Sequence, residues 1–212
     1  MIRVLITDDH PVVRRGIRQI LEDDERIGLV QEAGDGKELF EKLKEQSFDV
    51  ILLDISLPGR SGLDLISQIK KTRQSAAILM LSIHSESMYA VKALKSGAAG
   101  YLTKSSAPEE LISAIIKVAR GERYISPSLA DAMAESFISG SEKPLYQLLS
   151  ARELEVLTLF AEGKKVVHIA SVLSLSPKTI GTYRERILEK LKLHTTADLI
   201  RYAIIEGIGG EK

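Results

Sequence analysis

The chain has 212 residues, and its 29 basic and 29 acidic side chains give a formal net charge of zero. This balance argues against a protein that is basic throughout, although it allows one basic face. The absence of Cys excludes disulfides and thiolate metal sites, and no stretch approaches the roughly 20 apolar residues of a membrane span, so we expect a cytoplasmic protein that has no membrane partner.

The first 120 residues contain five short apolar runs that alternate with five amphipathic stretches. The apolar runs predict strands at residues 2–7, 27–33, 49–53, 76–81 and 100–102. Apolar residues at helical spacing predict helices at residues 11–21, 37–46, 63–72, 86–96 and 108–120. This alternation predicts an α/β fold, a doubly wound five-stranded parallel sheet.

The third predicted strand is apolar along its length and is followed directly by Asp54. Open α/β sheets bind ligands outside the carboxyl ends of their strands, and one topological switch brings the ends of strands one and three together. We therefore expect Asp8, Asp9 and Asp54 to form one cluster. Ser82 and Lys104 end the fourth and fifth strands and should lie at its rim. Taken singly, these residues also fit helix caps, turns or solvated charges.

Three carboxylates in a partly desolvated cleft repel one another, so such a cluster normally requires a cation. Oxygen ligands without His or Cys favour Mg²⁺, and we expect His10 and His84 to be surface or loop residues. A carboxylate beside Mg²⁺ and a lysine suits phosphoryl transfer, in which Asp54 would become an aspartyl phosphate. The predicted roles are as follows: Asp54 and Asp9 bind the metal, Asp8 binds it or orients its waters, and Lys104 and Ser82 contact phosphoryl oxygens.

Four motifs mark these strand ends: Thr7-Asp8-Asp9-His10, Leu53-Asp54-Ile55-Ser56-Leu57-Pro58-Gly59 with Gly62, Leu81-Ser82, and Gly100-Tyr101-Leu102-Thr103-Lys104. In this order they resemble the receiver domain of bacterial response regulators, over residues 1–120. The resemblance implies a flavodoxin-like fold and phosphorylation of Asp54 by a sensor histidine kinase. It also implies a switch in which the Ser82 hydroxyl moves toward the phosphoryl group and the Tyr101 ring turns inward.

Residues 121–144 are predicted to form a linker. Leu129, Met133 and Phe137 recur at helical spacing. Residues 138–144 hold Gly, Ser and mixed charges, which are typical of a flexible tether. The pattern leaves open whether the segment only connects two domains or also contacts them.

Residues 145–212 predict a small all-α domain. Ser150 and Glu153 have capping-box spacing ahead of a first helix, and apolar spacing predicts further helices at residues 166–173, 177–192 and 196–206. The short turn before Pro177 makes the second and third helices a helix-turn-helix. The predicted DNA contacts are Lys164, Lys165, Ser176, Lys178, Thr179, Thr182, Tyr183, Arg186 and Lys190. Periodicity alone also fits an ordinary bundle with a charged, solvated face.

This second domain carries a further set of motifs: Leu149-Ser150-Ala151-Arg152-Glu153-Leu154-Glu155-Val156-Leu157, Ala161-Glu162-Gly163, Ile169-Ala170, Leu175-Ser176-Pro177-Lys178-Thr179-Ile180 and Lys190-Leu191. They resemble the LuxR-type DNA-binding domain. With the receiver in front, the chain resembles a NarL/FixJ-type response regulator, which implies binding to double-stranded promoter DNA. Val166-Val167, His168 and Tyr183 depart from the residues usual in the family, so the target sequence does not follow from the resemblance.

Phosphorylation is expected to promote a homodimer, because one recognition helix reads few base pairs and two half-sites multiply the affinity. Leu199 and Ala203 of the last helix are candidate dimer contacts, with core packing the alternative for Leu199. RNA polymerase is a further candidate partner. Within the helix-turn-helix, Lys178 and Arg186 are assigned to the DNA backbone and Thr182 to a base edge.

Three other classes of function share features with this sequence. A phosphatase with an aspartyl nucleophile usually has a second Asp two residues later, where this chain has Ser56, so we expect no enzymatic activity. A nucleotide or flavin binder needs a loop rich in Gly or hydroxyl groups after the first strand, and the residues from Asp8 to Pro11 offer none. The helix-turn-helix argues against a signalling module that acts through protein partners alone.

Overall fold

The computed structural model describes residues 1–72, 75–83, 86–131 and 144–209, with the backbone alone for residues 86–88. The chain divides into two compact units, residues 1–139 and 140–212. The predicted helical turns at Met133 and Phe137 and the tether at residues 138–143 lie outside the described residues, as does His84.

The first unit has the predicted α/β alternation. Its strands are β1 (Ile2–Thr7), β2 (Ile27–Ala33), β3 (Val50–Asp54), β4 (Ala77–Ser82) and β5 (Gly100–Thr103). Its helices are α1 (Pro11–Glu22), α2 (Gly36–Glu45), α3 (Gly62–Ile69), α4 (Glu86–Ser96) and α5 (Pro108–Ala119). Proline at the first position suits the starts of α1 and α5, because that residue needs no intrahelical N–H partner.

The five strands are parallel and lie in the order β2-β1-β3-β4-β5. The order reverses between β1 and β3, and their carboxyl ends lie side by side, since Thr7 pairs with Leu53. All five residues of β3 are buried, which explains why its sequence is a continuous apolar run before Asp54. The doubly wound sheet predicted from the sequence is thereby confirmed.

One face of the sheet packs against α1 and α5. The shared core contains Val4, Ile6, Val50, Leu52, Leu79, Leu81 and Leu102 from the strands and Ile17, Leu21, Leu111, Ile112, Ile115 and Val118 from the helices. Each fully buried aliphatic side chain contributes about 1.5–3 kcal/mol. This core stabilises the carboxyl ends of the strands, where Asp8, Asp54 and Lys104 lie.

The chain after α5 returns to the edge of the sheet. Tyr124 forms a parallel bridge with Gly100, and its hydroxyl donates to Glu110 Oε1 at 2.6 Å. A Cβ at Gly100 would lie 2.8 Å from Tyr124 Cβ, so the strand edge requires glycine there. Ser126 then caps a helical turn by accepting from Leu129 N. The first part of the segment predicted as a linker therefore lies against the sheet.

The second unit is built from helices. A 3₁₀ helix (Leu145–Leu148) precedes α6 (Ala151–Ala161), α7 (Val166–Val172), α8 (Pro177–Leu191) and α9 (Thr196–Ile205). Capping boxes begin α6 and α9, through Ser150 with Glu153 and Thr195 with Asp198. In the described residues, no helix combines the length and the apolar character that a membrane crossing requires.

Candidate functional site

Lys104 connects the two carboxylates that end β1 and β3. Its Nζ lies 2.6 Å from Asp8 Oδ2 and 2.7 Å from Asp54 Oδ2, and its side chain is only 11% exposed. Both carboxylates are buried. The backbone N–H of Ser56 donates to the other Asp54 oxygen at 3.2 Å. The structure thus brings together three of the side chains that the sequence placed at separate strand ends.

Burial controls the charges of this cluster. It raises the pKa of Asp54, and the neighbouring Asp8 charge raises it further, whereas Lys104 acts in the opposite direction. Burial alone would lower the pKa of Lys104, but Asp54 and Asp8 outweigh it and the pKa is raised. Lys104 therefore stays a cation, and a second cation beside the carboxylates would relieve their remaining repulsion.

Asp9 and His10 complete the acidic loop after β1. One ligand atom from each of Asp8, Asp9, His10 and Asp54 lies within 4.8 Å of the others. The buried Asp8 Oδ2 faces Lys104 Nζ at 2.6 Å, and the buried Asp9 Oδ1 faces His10 Nδ1 at 2.7 Å. These oxygens retain lone pairs for a metal ion, and three carboxylates suit Mg²⁺.

His10 is a residue that the sequence reasoning set aside. Its side chain is 63% exposed, as expected of a loop residue, yet its Nδ1 turns toward both aspartates, with 3.3 Å to Asp8 Oδ1. Its position directly after the Asp8-Asp9 pair was the available signal. In the described chain its imidazole covers one side of the carboxylate cluster.

The backbone of Gly62 packs closely against the backbone of Asp54 and Ile55. A Cβ at Gly62 would lie 1.9 Å from the Asp54 carbonyl oxygen and 3.2 Å from Ile55 Cα. The Gly62 N–H donates to the Ile55 carbonyl at 2.7 Å. The loop after β3 can therefore return under the strand end only because this position has no side chain.

Ser82 and Tyr101 are both buried. Tyr101 pairs with Met80, and Ser82 pairs with Thr103, so Ser82 and Tyr101 lie on one face of the sheet. Asp54 pairs with Leu81, which lies on the other face. The Tyr101 ring is inward, as the resemblance associates with the switched state. Movement of the Ser82 hydroxyl toward Asp54 stays a prediction.

The second unit presents a polar face on α8. Lys178, Thr182 and Arg186 are exposed and recur every four residues, one above another on the helix. Ser176 accepts from Thr179 N at 3.1 Å and caps the helix. The helix dipole favours an anion at this end of α8. The predicted DNA contacts at the start of α8 thus lie on an accessible surface.

Several predicted DNA contacts already have protein partners. Lys164 pairs with Glu162 at 2.7 Å, and Lys190 pairs with Glu153 at 2.6 Å. Thr182 Oγ1 donates to the Lys178 carbonyl at 3.3 Å. Lys165 is exposed and Tyr183 is half-buried. Any DNA contact by Lys164 or Lys190 would replace or share an existing ion pair.

A buried ion pair that the sequence pattern did not predict supports the helix-turn-helix. Arg152 pairs with Glu155 inside α6, and its Nη2 donates to the Leu173 carbonyl at 2.7 Å. The turn between α7 and α8 follows directly, with Ser174 at φ 53° and Leu175 N donating to the Ala170 carbonyl at 2.8 Å. A charged pair within an apolar helix pattern was the available signal.

The last helix has a different surface from the one we expected. Leu199 and Ala203 are fully buried and pack in the core. Ile204 and Ile205 are 64% and 75% exposed. Apolar contacts with a partner at this helix would therefore come from the two isoleucines, while Leu199 and Ala203 stabilise the unit itself.

Comparison with known proteins gives two matches to families. Residues 4–116 match the response regulator receiver domain, and residues 147–203 match the bacterial regulatory proteins of the luxR family. Response regulator UvrY of Escherichia coli (strain K12) is 41% identical over 210 residues, covering 98% of this chain and 96% of its own. Response regulator GacA of Pseudomonas aeruginosa is 35% identical over 209 residues, covering 98% of both chains.

Solved structures give the same result. RcsB from Salmonella enterica serovar Typhimurium, bound to promoter rprA in the presence of phosphomimetic BeF3-, superimposes with a TM-score of 0.66 and 30% sequence identity. The match covers 95% of this chain and 97% of RcsB. Both the fold and the order of the two domains are therefore shared with these proteins.

Proposed function

This chain belongs to the bacterial response regulators that join a receiver domain to a LuxR-type DNA-binding domain, and we propose that a phosphoryl group on Asp54 controls its activity. Its function is the regulation of transcription. One observation carries the proposal for Asp54. Lys104 Nζ lies within 2.7 Å of both Asp8 and Asp54, at the carboxyl end of the central strand.

The proposed reaction moves a phosphoryl group from a phosphohistidine of a sensor histidine kinase to Asp54. A carboxylate oxygen attacks phosphorus, a P–O bond forms and the P–N bond breaks. The electron pair of that bond stays on the imidazole, which takes a proton from water. Lys104 is placed to neutralise a phosphoryl oxygen, and the Ser56 N–H holds the carboxylate in position.

Asp8, Asp9 and Asp54 are the residues that would hold Mg²⁺, because their carboxylate oxygen atoms converge. When bound, Mg²⁺ supplies positive charge to the phosphoryl oxygens, which is the main requirement of phosphoryl transfer. Ser82 and Tyr101 are proposed to respond to the phosphoryl group as the switch pair.

The proposed output is binding of α8 to promoter DNA. Lys178 and Arg186 would contact phosphates, and the short Thr182 side chain between them would approach a base edge. The other proposed contacts are Lys164, Lys165, Ser176, Thr179, Tyr183 and Lys190. RcsB has been solved on promoter DNA with the phosphomimetic BeF3-, which supports an output of this kind.

We further propose that phosphorylation promotes a homodimer on DNA, that RNA polymerase is a partner, and that the protein works in the cytoplasm, where promoter DNA is found. The exposed Ile204 and Ile205 are apolar surface available to a second copy. The family acts through DNA binding, and we propose no enzymatic activity for this chain.

Labelling with radioactive acetyl phosphate tests the phosphorylation site. The wild-type protein should be labelled in Mg²⁺ and lose labelling in excess EDTA, and Asp54→Asn should not be labelled. Asp23→Asn, an exposed aspartate at the end of α1, removes the same charge away from the site and should be labelled normally. Full labelling of Asp54→Asn, or labelling that EDTA leaves unchanged, refutes the proposal.

Fluorescence anisotropy on genomic promoter fragments, with and without acetyl phosphate, tests the output. Phosphorylation should raise specific affinity. Thr182→Ala should relax the preference at one base pair by roughly 1–3 kcal/mol while leaving the salt dependence unchanged. Equal weakening on specific and random DNA would remove base reading from this face of α8.

A further inference from the structure

Arg14 is a cation directed at the acidic loop. It is the fourth residue of α1, and its side chain folds back toward the start of its own helix. Its Nη1 donates to the Asp8 carbonyl at 2.5 Å, and its Nε donates to Glu32 on β2 at 3.1 Å. The side chain is only 16% exposed. Arg14 thereby ties the loop after β1 to the neighbouring strand.

The Asp8 carbonyl belongs to the planar peptide unit that joins Asp8 to Asp9. A hydrogen bond to that oxygen fixes the plane of the unit and so the directions in which the two side chains leave the backbone. The Asp8 N–H is also held, because it donates to the Ala33 carbonyl at 3.2 Å. Because the N–H and the carbonyl of Asp8 are both hydrogen-bonded, the backbone that carries the Asp8 and Asp9 carboxylates has little freedom to turn them away from Asp54.

Attraction to the carboxylate cluster does not explain the contacts of Arg14, because its guanidinium donates to the Asp8 carbonyl and to Glu32 rather than to a carboxylate of the cluster. The start of a helix favours anions, and the adjacent carboxylate cluster is suited to bind a cation. The positive charge of Arg14 is therefore unfavourable at the helix start, and it competes with a metal ion for the attraction of the carboxylates. Glu32 offsets this charge, and it also accepts from Arg18 Nε at 2.5 Å. An arginine whose charge has to be neutralised by a second residue is better explained by the direction of its hydrogen bonds.

We propose that Arg14, oriented by Glu32, is a positioning residue for the magnesium site. It acts through the Asp8 carbonyl and sets the directions of the Asp8 and Asp9 carboxylates before the ion binds. The inference rests on the proposed function, in which these aspartates hold Mg²⁺. It adds a residue that touches neither the metal nor the phosphoryl group.

The direction in which Mg²⁺ affinity changes on substitution of Arg14 distinguishes a positioning role from an effect of its charge. Removing a nearby positive charge should by itself strengthen Mg²⁺ binding. Arg15, the next residue of α1, is exposed, so Arg15→Gln measures that charge effect on the same helix. Arg14→Gln removes the same charge together with the hydrogen bond, and we expect its Mg²⁺ affinity to fall about tenfold, as for other residues that orient metal ligands. Arg14→Lys keeps the charge without the planar fork and should lie between.

The affinities can be obtained for the unphosphorylated full-length protein from the rise of its thermal unfolding temperature with MgCl₂ concentration. The same series in EDTA reports whether each variant folds. If Arg14→Gln folds poorly, Arg14→Lys decides, and we expect it to bind Mg²⁺ more weakly than the wild-type protein, which has the same charge. An Mg²⁺ affinity of Arg14→Gln equal to or above that of Arg15→Gln, or of Arg14→Lys equal to or above that of the wild-type protein, overturns the proposal. A wild-type protein without Mg²⁺-dependent labelling of Asp54 refutes the proposed function instead.

Discussion

The two units of this protein use charged residues in opposite ways. In the first unit the residues assigned to chemistry are themselves buried, and Lys104, Asp8 and Asp54 hold one another at the end of the sheet. In the second unit the buried pair of Arg152 and Glu155 supports the fold. The residues there that we assign to the DNA backbone and to a base edge, Lys178, Arg186 and Thr182, are exposed along α8.

The difference follows from what each unit has to recognise. A phosphoryl group is small and highly charged, so fixed charges in a site with little water stabilise it most. DNA is a long polyanion that releases counterions when exposed cations approach it. We therefore expect substitutions in the first unit to act by changing geometry, and substitutions on α8 to act residue by residue.

Gly62→Ala should break the geometry of the first unit most severely. The new Cβ would lie 1.9 Å from the Asp54 carbonyl oxygen. Relief of this clash requires a shift of the backbone, because the carbonyl oxygen is a backbone atom and the Cβ is bonded to one. We expect a loss of about 3 kcal/mol in the free energy of unfolding, at the upper end for overpacking. Acetyl-phosphate labelling of Asp54 should also be lost.

Gly16→Ala provides the matched control. Gly16 lies inside α1, and a Cβ there would meet nothing within 4 Å. Alanine should stabilise the helix by about 0.5–1 kcal/mol and leave labelling intact. Urea unfolding measures both variants. Normal labelling and stability in Gly62→Ala would mean that the loop can move away from Asp54 and that fixed geometry does not control the first unit.

The pH dependence of stability should reveal the strain in the buried cluster. The pKa of Asp54 is raised by burial and by Asp8, so its contribution to stability is fully present below the unfolded pKa and is lost as the pH rises through the folded pKa. Asp54→Asn has no such group. In EDTA, the stability of Asp54→Asn relative to the wild-type protein should therefore increase from pH 4 to pH 7. A constant difference would argue that Asp54 is not strained.

Most of the first unit could be predicted because its pattern is local and its topology is restricted. Apolar runs mark the strands, and the rules for parallel sheets then bring Asp8, Asp54 and Lys104 to one edge without any knowledge of side-chain packing. Arg14 could not be found in this way. An arginine on a helix usually faces solvent, and its contact with the Asp8 carbonyl depends on the packing of α1 against β2.

The second unit was less predictable in detail. Helical spacing identified α6 to α9, but spacing does not separate a buried charge from an exposed one. Lys190 was predicted as a DNA contact and pairs with Glu153, and Ala203 was predicted as a dimer contact and is buried. These outcomes depend on which helices meet, because a surface residue and a residue between helices can occupy equivalent positions in the period.

Each of the two units contains a buried threonine, and the two hydroxyls differ in their hydrogen bonding. Thr7 and Thr158 are each 1% exposed. Within the described chain, Thr7 Oγ1 has no hydrogen-bond partner, whereas Thr158 Oγ1 donates to the Leu154 carbonyl at 3.0 Å. Thr7→Val should stabilise the protein by about 1 kcal/mol, and Thr158→Val should destabilise it by about 0.5–1 kcal/mol. Urea unfolding that gave both changes the same sign would contradict this difference.

The smallest expected effect is a difference in the salt dependence of DNA binding between variants of two lysines at opposite ends of α8. Lys178 is exposed near the helix start, whereas Lys190 is 39% exposed and its Nζ lies 2.6 Å from Glu153 Oε2. Glu153 also accepts from Ser150 N at 2.6 Å and closes the capping box of α6. Lys178→Gln should lower the slope of log affinity against log salt by about one unit and leave stability unchanged.

Lys190→Gln should change that slope by less, because a phosphate must compete with Glu153 for the ammonium group. It should cost under about 1 kcal/mol of stability, as expected of a pair that solvent partly screens.

The pKa of Glu153 is lowered by Lys190 and Ser150 against the effect of burial. The stability that this shift contributes is present above the unfolded pKa and is lost as the pH falls through the folded pKa. DNA titrations at several salt concentrations, with unfolding curves for the same variants, measure both effects. Equal salt slopes for the two variants would place Lys190 among the functional residues of α8 rather than among those that support it.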